Sequence, residues 1–152
     1  GLSCPILRIM PNTACAVGAG LTLYVPSPEV TEEQLSAFLT LMSASGRLEP
    51  LEEHLIDAGS AVAGCGGAFV SLFLEALADG AVKARRYAAQ MVLGTAQLAL
   101  QSDQHTAAMK DAVCSPGGTT IAGVRALERG GFRSAAMEAV IAAYEKTLAL
   151  KS

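Results

Sequence analysis

A chain of 152 residues, 51% hydrophobic and only 16% charged, carries ample apolar material for a core, which excludes intrinsic disorder. Lys and Arg number 11 against 14 Asp and Glu, a formal net charge of -3, and no basic cluster exceeds Arg85-Arg86; a nucleic-acid-binding surface is excluded on that ground. The length suits one ordinary domain, or a small domain plus part of another. Aromatics are 5%, Trp is absent, and much of the apolar content is Ala and Gly. Such a core buries little area per residue, which points to a partner chain.

The opening residues Gly1-Leu2-Ser3-Cys4-Pro5 have neither a charged n-region nor an apolar h-region, so no signal peptide is expected there. Residues 6–10 read as a strand ended by Pro11-Asn12, and 21–25 as a second strand ended by Pro26-Ser27-Pro28. Thr31, with Gln34 three residues on, has the pattern of a helix N-cap and capping box. The helix that follows has Leu35, Phe38, Leu39 and Met42 on one face and stops at Gly46. A short strand is expected at 47–49. Strand, strand, helix, strand is part of an α/β sheet but too little to close one. Residues 1–50 therefore read as the C-terminal remnant of a larger domain.

From residue 51 onward the pattern is helical. One long helix is expected over 52–82, with Val62, Phe69, Phe73 and Leu77 in helical spacing. Its charge-free stretch, 58–74, contains four glycines and reads as a buried helix rather than a membrane span, which wants about 20 mainly large apolar residues. Further helices are expected over 87–102, 106–113 and 120–129, the last stopped by Gly130-Gly131. Ser134 caps a final one whose stripe is Met137, Val140, Ile141, Tyr144 and Leu148. The fold class is thus mostly α: a helical domain over 51–152 after the end of an α/β domain.

The most informative segment is Cys114-Ser115-Pro116-Gly117-Gly118-Thr119-Thr120. Proline fixes one backbone angle, the glycines reach angles closed to other residues, and two threonines then open a helix. Free N–H groups and hydroxyls converging on a helix N-terminus suit a carboxylate or phosphate; a plain turn with a Thr N-cap is the alternative. Ala63-Gly64-Cys65-Gly66-Gly67-Ala68 fails as a dinucleotide fingerprint, because Phe69 holds the last glycine position and no strand precedes it. It reads instead as small residues that let another helix or a ligand approach. Met10-Pro11-Asn12-Thr13, at a strand's carboxyl end, sits where open α/β sheets bind ligands, or is an ordinary turn. Glu52, Glu53 and Asp57 suit the macrodipole of a helix start. Cys4, Cys15, Cys65 and Cys114 form no C-x-x-C pair, and His54 and His105 are far apart. Reduced intracellular thiols and surface histidines are expected, with no metal site and no thiol nucleophile.

Taken together these segments resemble the pyrroline-5-carboxylate reductase family. The resemblance rests on Ile9-Met10-Pro11-Asn12-Thr13, on the stretch from Glu75 to Lys83, on Ala88-Ala89-Gln90 with Val92-Leu93-Gly94, and above all on Met109 through Gly123 and Leu127 through Arg133. Four departures stand out. Where the family has Ser-Gly-Ser-Gly-Pro-Ala, this chain has Ala63-Gly64-Cys65-Gly66-Gly67-Ala68, followed by Phe69 in place of Tyr. Between Lys83 and Ala88 a longer Gly- and Pro-containing loop is reduced to Ala84-Arg85-Arg86-Tyr87. Thr106 stands where the family often has Pro.

The resemblance implies a two-domain enzyme. An N-terminal Rossmann domain, most of it outside this chain, is followed by a helical domain that interlocks with a second subunit, as a homodimer or within a decamer. It implies reduction of 1-pyrroline-5-carboxylate to L-proline with NADPH or NADH, in the cytoplasm, with no nucleic acid and no membrane involved. It implies that Ser115 and the backbone N–H groups of Gly118, Thr119 and Thr120, with Gly117 in the same turn, hold the substrate carboxylate, that the Thr120 hydroxyl faces the ring nitrogen as the catalytic group, and that Glu53 contacts substrate. Met10, Pro11 and Asn12 would lie beside the nicotinamide, with Ala112 near the cofactor through its backbone. The other class of reading is a non-catalytic helical dimerisation module, inactive without its nucleotide-binding domain.

Overall fold

A computed structural model describes residues 4–80 and 85–151. The chain divides into two compact units, Gly1–Phe69 with Ala139–Ser152, and Val70–Glu138. The fold is mostly α with a small sheet near its start, the class that the sequence pattern implies.

In the first unit, β1 (Leu7–Met10), β2 (Gly20–Pro26) and β3 (Gly46–Pro50) lie in the order β1-β2-β3. β1 runs antiparallel to β2, with Met10 opposite Leu23, and β2 runs parallel to β3. The parallel pair is connected through α1 (Glu32–Met42), as parallel strands require a crossover. Thr31 caps α1 as its sequence predicts: its hydroxyl accepts from the Gln34 N–H at 3.2 Å, and the Gln34 side chain accepts from the Thr31 N–H at 3.0 Å.

Alternation along β2 assigns its two faces. Tyr24 meets Phe38 of α1 edge to face, with ring centroids 5.7 Å apart. Leu23 faces α2 (Ile56–Ala63), where a Cβ on Gly59 would sit 2.6 Å from the Leu23 Cδ1. One on Gly64 would sit 2.8 Å from the Met10 Cε. The helix therefore reaches the sheet because these two residues lack side chains. Thr22, Leu23, Tyr24, Ile56, Ala61 and Ala63 form the buried centre of this unit.

The single long helix expected over 52–82 is instead a 3₁₀ turn (Glu53–Leu55), α2, and α3 (Gly66–Asp79). At the break, the Ser60 carbonyl accepts from both the Gly64 N–H (2.9 Å) and the Cys65 N–H (3.2 Å), so one turn is wider than the rest. Hydrophobic periodicity runs straight through this point and gives no sign of it. The helix end expected at 81–82, and Lys83-Ala84 of the shortened segment, lie outside the described residues.

The second unit holds most of α3, then α4 (Arg85–Gln101), α5 (Thr106–Val113), α6 (Thr119–Arg129) and the first turns of α7 (Phe132–Ala149). α7 starts at Phe132, after Gly131 at φ 74°, and not at a Ser134 cap. Phe73 and Phe132 pack ring to ring at 5.5 Å. Among the described residues of this unit, Ala88 is the one buried hydrophobic residue, whereas Leu72 is 67% exposed and Leu100 73%.

Candidate functional site

The site is built at the start of α6. The Ser115 carbonyl accepts from the Gly118 N–H at 3.0 Å, and Gly117 has φ 70°. With Pro116 between them this is a type II turn, whose third position takes a positive φ and favours glycine. Gly118 is the N-cap of α6 and offers no side-chain cap, so neither threonine is the cap that the simple turn reading required. A Cβ on Gly118 would collide with the Ser115 Oγ and lie 3.2 Å from the Ser115 carbonyl. The Ser115 hydroxyl thus lies directly over the helix entrance because residue 118 is glycine.

Helix geometry leaves the N–H groups of Thr119, Thr120 and Ile121 without a carbonyl one turn back. They aim out of the N-terminus, where the positive end of the macrodipole favours an anion. The Gly118 N–H closes the turn instead.

Thr120 also lines a cavity of about 690 Å³. Phe73, Met91, Val124 and Phe132 supply apolar wall, and Lys110, Glu128 and Arg133 supply charge. Lys110 pairs with Asp111, which raises the Lys110 ammonium above its ordinary value chiefly through their hydrogen bond. Arg133 Nη2 donates to Glu128 Oε1 at 2.6 Å and holds that carboxyl below the usual carboxylate range. A carboxylate depressed in the folded state contributes stability above its unfolded range and loses it as pH falls through the folded value. Arg133→Gln is expected to return the Glu128 carboxyl toward its ordinary value in a carboxyl-carbon NMR titration. An unchanged titration would show that the pair does not form in solution.

Ser115, Gly117, Gly118, Thr119 and Thr120 are thus brought together at one helix entrance, and Ala112 lies in the same unit on the last turn of α5. Met10, Pro11, Asn12 and Glu53 belong to the other unit. Pro11 is exposed, and the Asn12 amide oxygen accepts from the Leu21 N–H. Glu53 pairs with Arg8, whose other terminal nitrogen lies 3.9 Å from Asp57; Lys151 Nζ in turn meets both Asp57 carboxylate oxygens, at 2.7 and 2.6 Å. No short-range pattern marks this cluster, because its members are far apart in sequence. His105, read as a plain surface residue, is the N-cap of α5: its Nδ1 accepts from the Ala107 N–H at 3.1 Å. Among the described residues no His, Cys, Asp or Glu group is placed to hold a metal ion.

A family model described as pyrroline-5-carboxylate reductase dimerisation matches residues 53–150. The chain belongs to the pyrroline-5-carboxylate reductase family. A Synechocystis pyrroline-5-carboxylate reductase is 48% identical over 149 residues, which cover 93% of this chain and 56% of that protein. The Escherichia coli enzyme of the same name is 42% identical, with 93% and 55% covered. The chain therefore spans about half the length of the curated relatives it matches. A solved Plasmodium falciparum pyrroline carboxylate reductase with NADP bound superposes on 100% of this chain and 64% of its own, with a TM-score of 0.92 at 33% identity. The mostly helical architecture, with a dimerisation domain after a three-stranded α/β portion, is the family's.

Proposed function

We propose that this chain is the C-terminal portion of an enzyme that reduces 1-pyrroline-5-carboxylate to L-proline with NADPH or NADH. Residues 1–50 are the end of the dinucleotide-binding domain and 51–152 the dimerisation and substrate-binding domain. The protein works as a soluble cytoplasmic homodimer, alone or within a decamer. The observation that carries this reading is the α6 entrance: a Ser115 hydroxyl and open N–H groups, with Thr120 facing both that entrance and an apolar cavity.

The substrate is a cyclic imine bearing a carboxylate. Its carboxylate accepts from the Ser115 hydroxyl and from the Thr119 and Thr120 N–H groups, which have no intrahelical partner to give up. That anchor sets the ring's orientation, and the Thr120 hydroxyl then donates to the ring nitrogen, which must end the reaction protonated. The partner subunit's Glu53 is a second polar contact to substrate. The apolar cavity wall offers the substrate ring a nonpolar side.

The cofactor, when bound, supplies the hydride. An exposed Pro11 just after β1 is a flat apolar surface that fits a nicotinamide edge, with Met10 and Asn12 on either side; the Ala112 backbone, in the other unit, is a separate candidate contact to the cofactor.

Adding 1-pyrroline-5-carboxylate to the full-length protein with NADPH is expected to consume one NADPH per L-proline formed. No oxidation above the substrate-free rate would overturn the reading. The 152 residues alone, which lack a G-x-G-x-x-G turn, are expected to bind NADPH poorly; micromolar affinity in a calorimetric titration would contradict the domain assignment.

A further inference from the structure

We infer that Asn12 is a positioning residue: its side chain fixes the course of the chain at the carboxyl end of β1 and so the placement of Pro11 beside the nicotinamide. The inference rests on the cofactor reading of that edge.

Asn12 is bound at both its polar oxygens. Its amide oxygen accepts from the Leu21 N–H of β2 at 3.2 Å, in a half-buried setting, and its carbonyl accepts from the Cys15 N–H at 3.1 Å. The loop between is tied to itself. Ala19 donates to the Ala14 carbonyl at 3.2 Å, Gly18 takes φ 70°, and Gly20 is pressed so close under Cys15 that a Cβ there would overlap the Cys15 Sγ. The segment leaving β1 is thus pinned to the start of β2 through one side chain. Asn12 itself is extended, with φ -117° and ψ 170°. Pro11, one residue earlier, has its own φ fixed by its ring and no N–H to bond. The Asn12 side chain therefore ties the residue that follows Pro11 to the start of β2. The side chain's oxygen is committed within the protein, so what it offers a cofactor is geometry before contact.

The alternative for Asn12 is direct contact through its amide N–H groups, and two substitutions separate the two roles. Asn12→Ala removes the acceptor. Asn12→Asp keeps an acceptor for the Leu21 N–H but removes the amide donors. In the full-length protein, Asn12→Ala is expected to raise the KM for NADPH about tenfold, the scale of a misplaced binding edge, with a smaller change in kcat. Asn12→Asp is expected to recover most of that loss. Hydrogen exchange of the Leu21 amide, read without any cofactor, is expected to speed up in Asn12→Ala and to stay slow in Asn12→Asp.

Equal NADPH losses in both variants, with Leu21 protected in Asn12→Asp, would overturn the inference in favour of direct contact. Unchanged Leu21 exchange in Asn12→Ala would overturn it at its structural root. A parent protein that fails to turn over with NADPH would instead sink the reductase reading, and the exchange measurement would still judge the hydrogen bond.

Discussion

Thr120→Ala is expected to lower kcat/KM for the imine at least tenfold while leaving the protein folded and its assembly unchanged. A positioned proton donor is typically worth about 10²-fold or more in rate. The competing role, an N-cap, would cost about 1 kcal/mol of stability and leave turnover of the folded protein nearly intact. The structure separates these roles. Gly118 is the N-cap of α6, so Thr120 lies in the second helical position and its hydroxyl is not needed to close the helix. It borders the cavity instead. Thr120→Ser keeps the hydroxyl and is expected to retain most activity. If the Ala variant turns over within about twofold of the parent, the hydroxyl has no part in the chemistry.

The second large effect is on assembly. Light scattering at micromolar concentration is expected to report at least twice the chain mass, and dilution is expected to lower the unfolding temperature. The reason lies in the unit of α3 to α6, where Tyr87 is 77% exposed, Val113 67% and Leu98 57%. Monomeric proteins rarely leave so many large apolar side chains of one unit uncovered. Obligate interfaces that cover such surfaces bury about 2,000 Å² or more. Charged substitutions at Leu72 and Leu100 should break the assembly and unfold the helices together. A monodisperse, folded monomer at micromolar concentration would contradict this.

Elements set by local chemistry were legible in the sequence. The Thr31 and Gln34 box, the three strands, and α5 at Thr106–Val113 follow from capping, alternation and breakers acting over a few residues. The Pro116-Gly117-Gly118 turn was legible for the same reason, since its glycine at φ 70° is demanded locally. What stayed hidden depends on a neighbour distant in the chain. The break at Gly64-Cys65 coincides with Met10 packing under Gly64, and Gly59 is small because Leu23 and Leu51 lie against it. The same glycines read from the sequence only as room for an unspecified approach. A threonine cap is the alternative that the sequence leaves open, because the Ser115 hydroxyl over Gly118 is a contact that composition does not show. The Asp57 and Lys151 pair joins the start of α2 to the chain's last turns, a separation no motif spans.

The most direct test is a structure of the full-length protein with L-proline and oxidised cofactor bound. The proline carboxylate is expected within hydrogen-bond distance of the Ser115 Oγ and the Thr119 and Thr120 N–H groups, with the ring nitrogen facing the Thr120 hydroxyl. A proline bound elsewhere, with the α6 entrance holding only water, would contradict the assignment of this site.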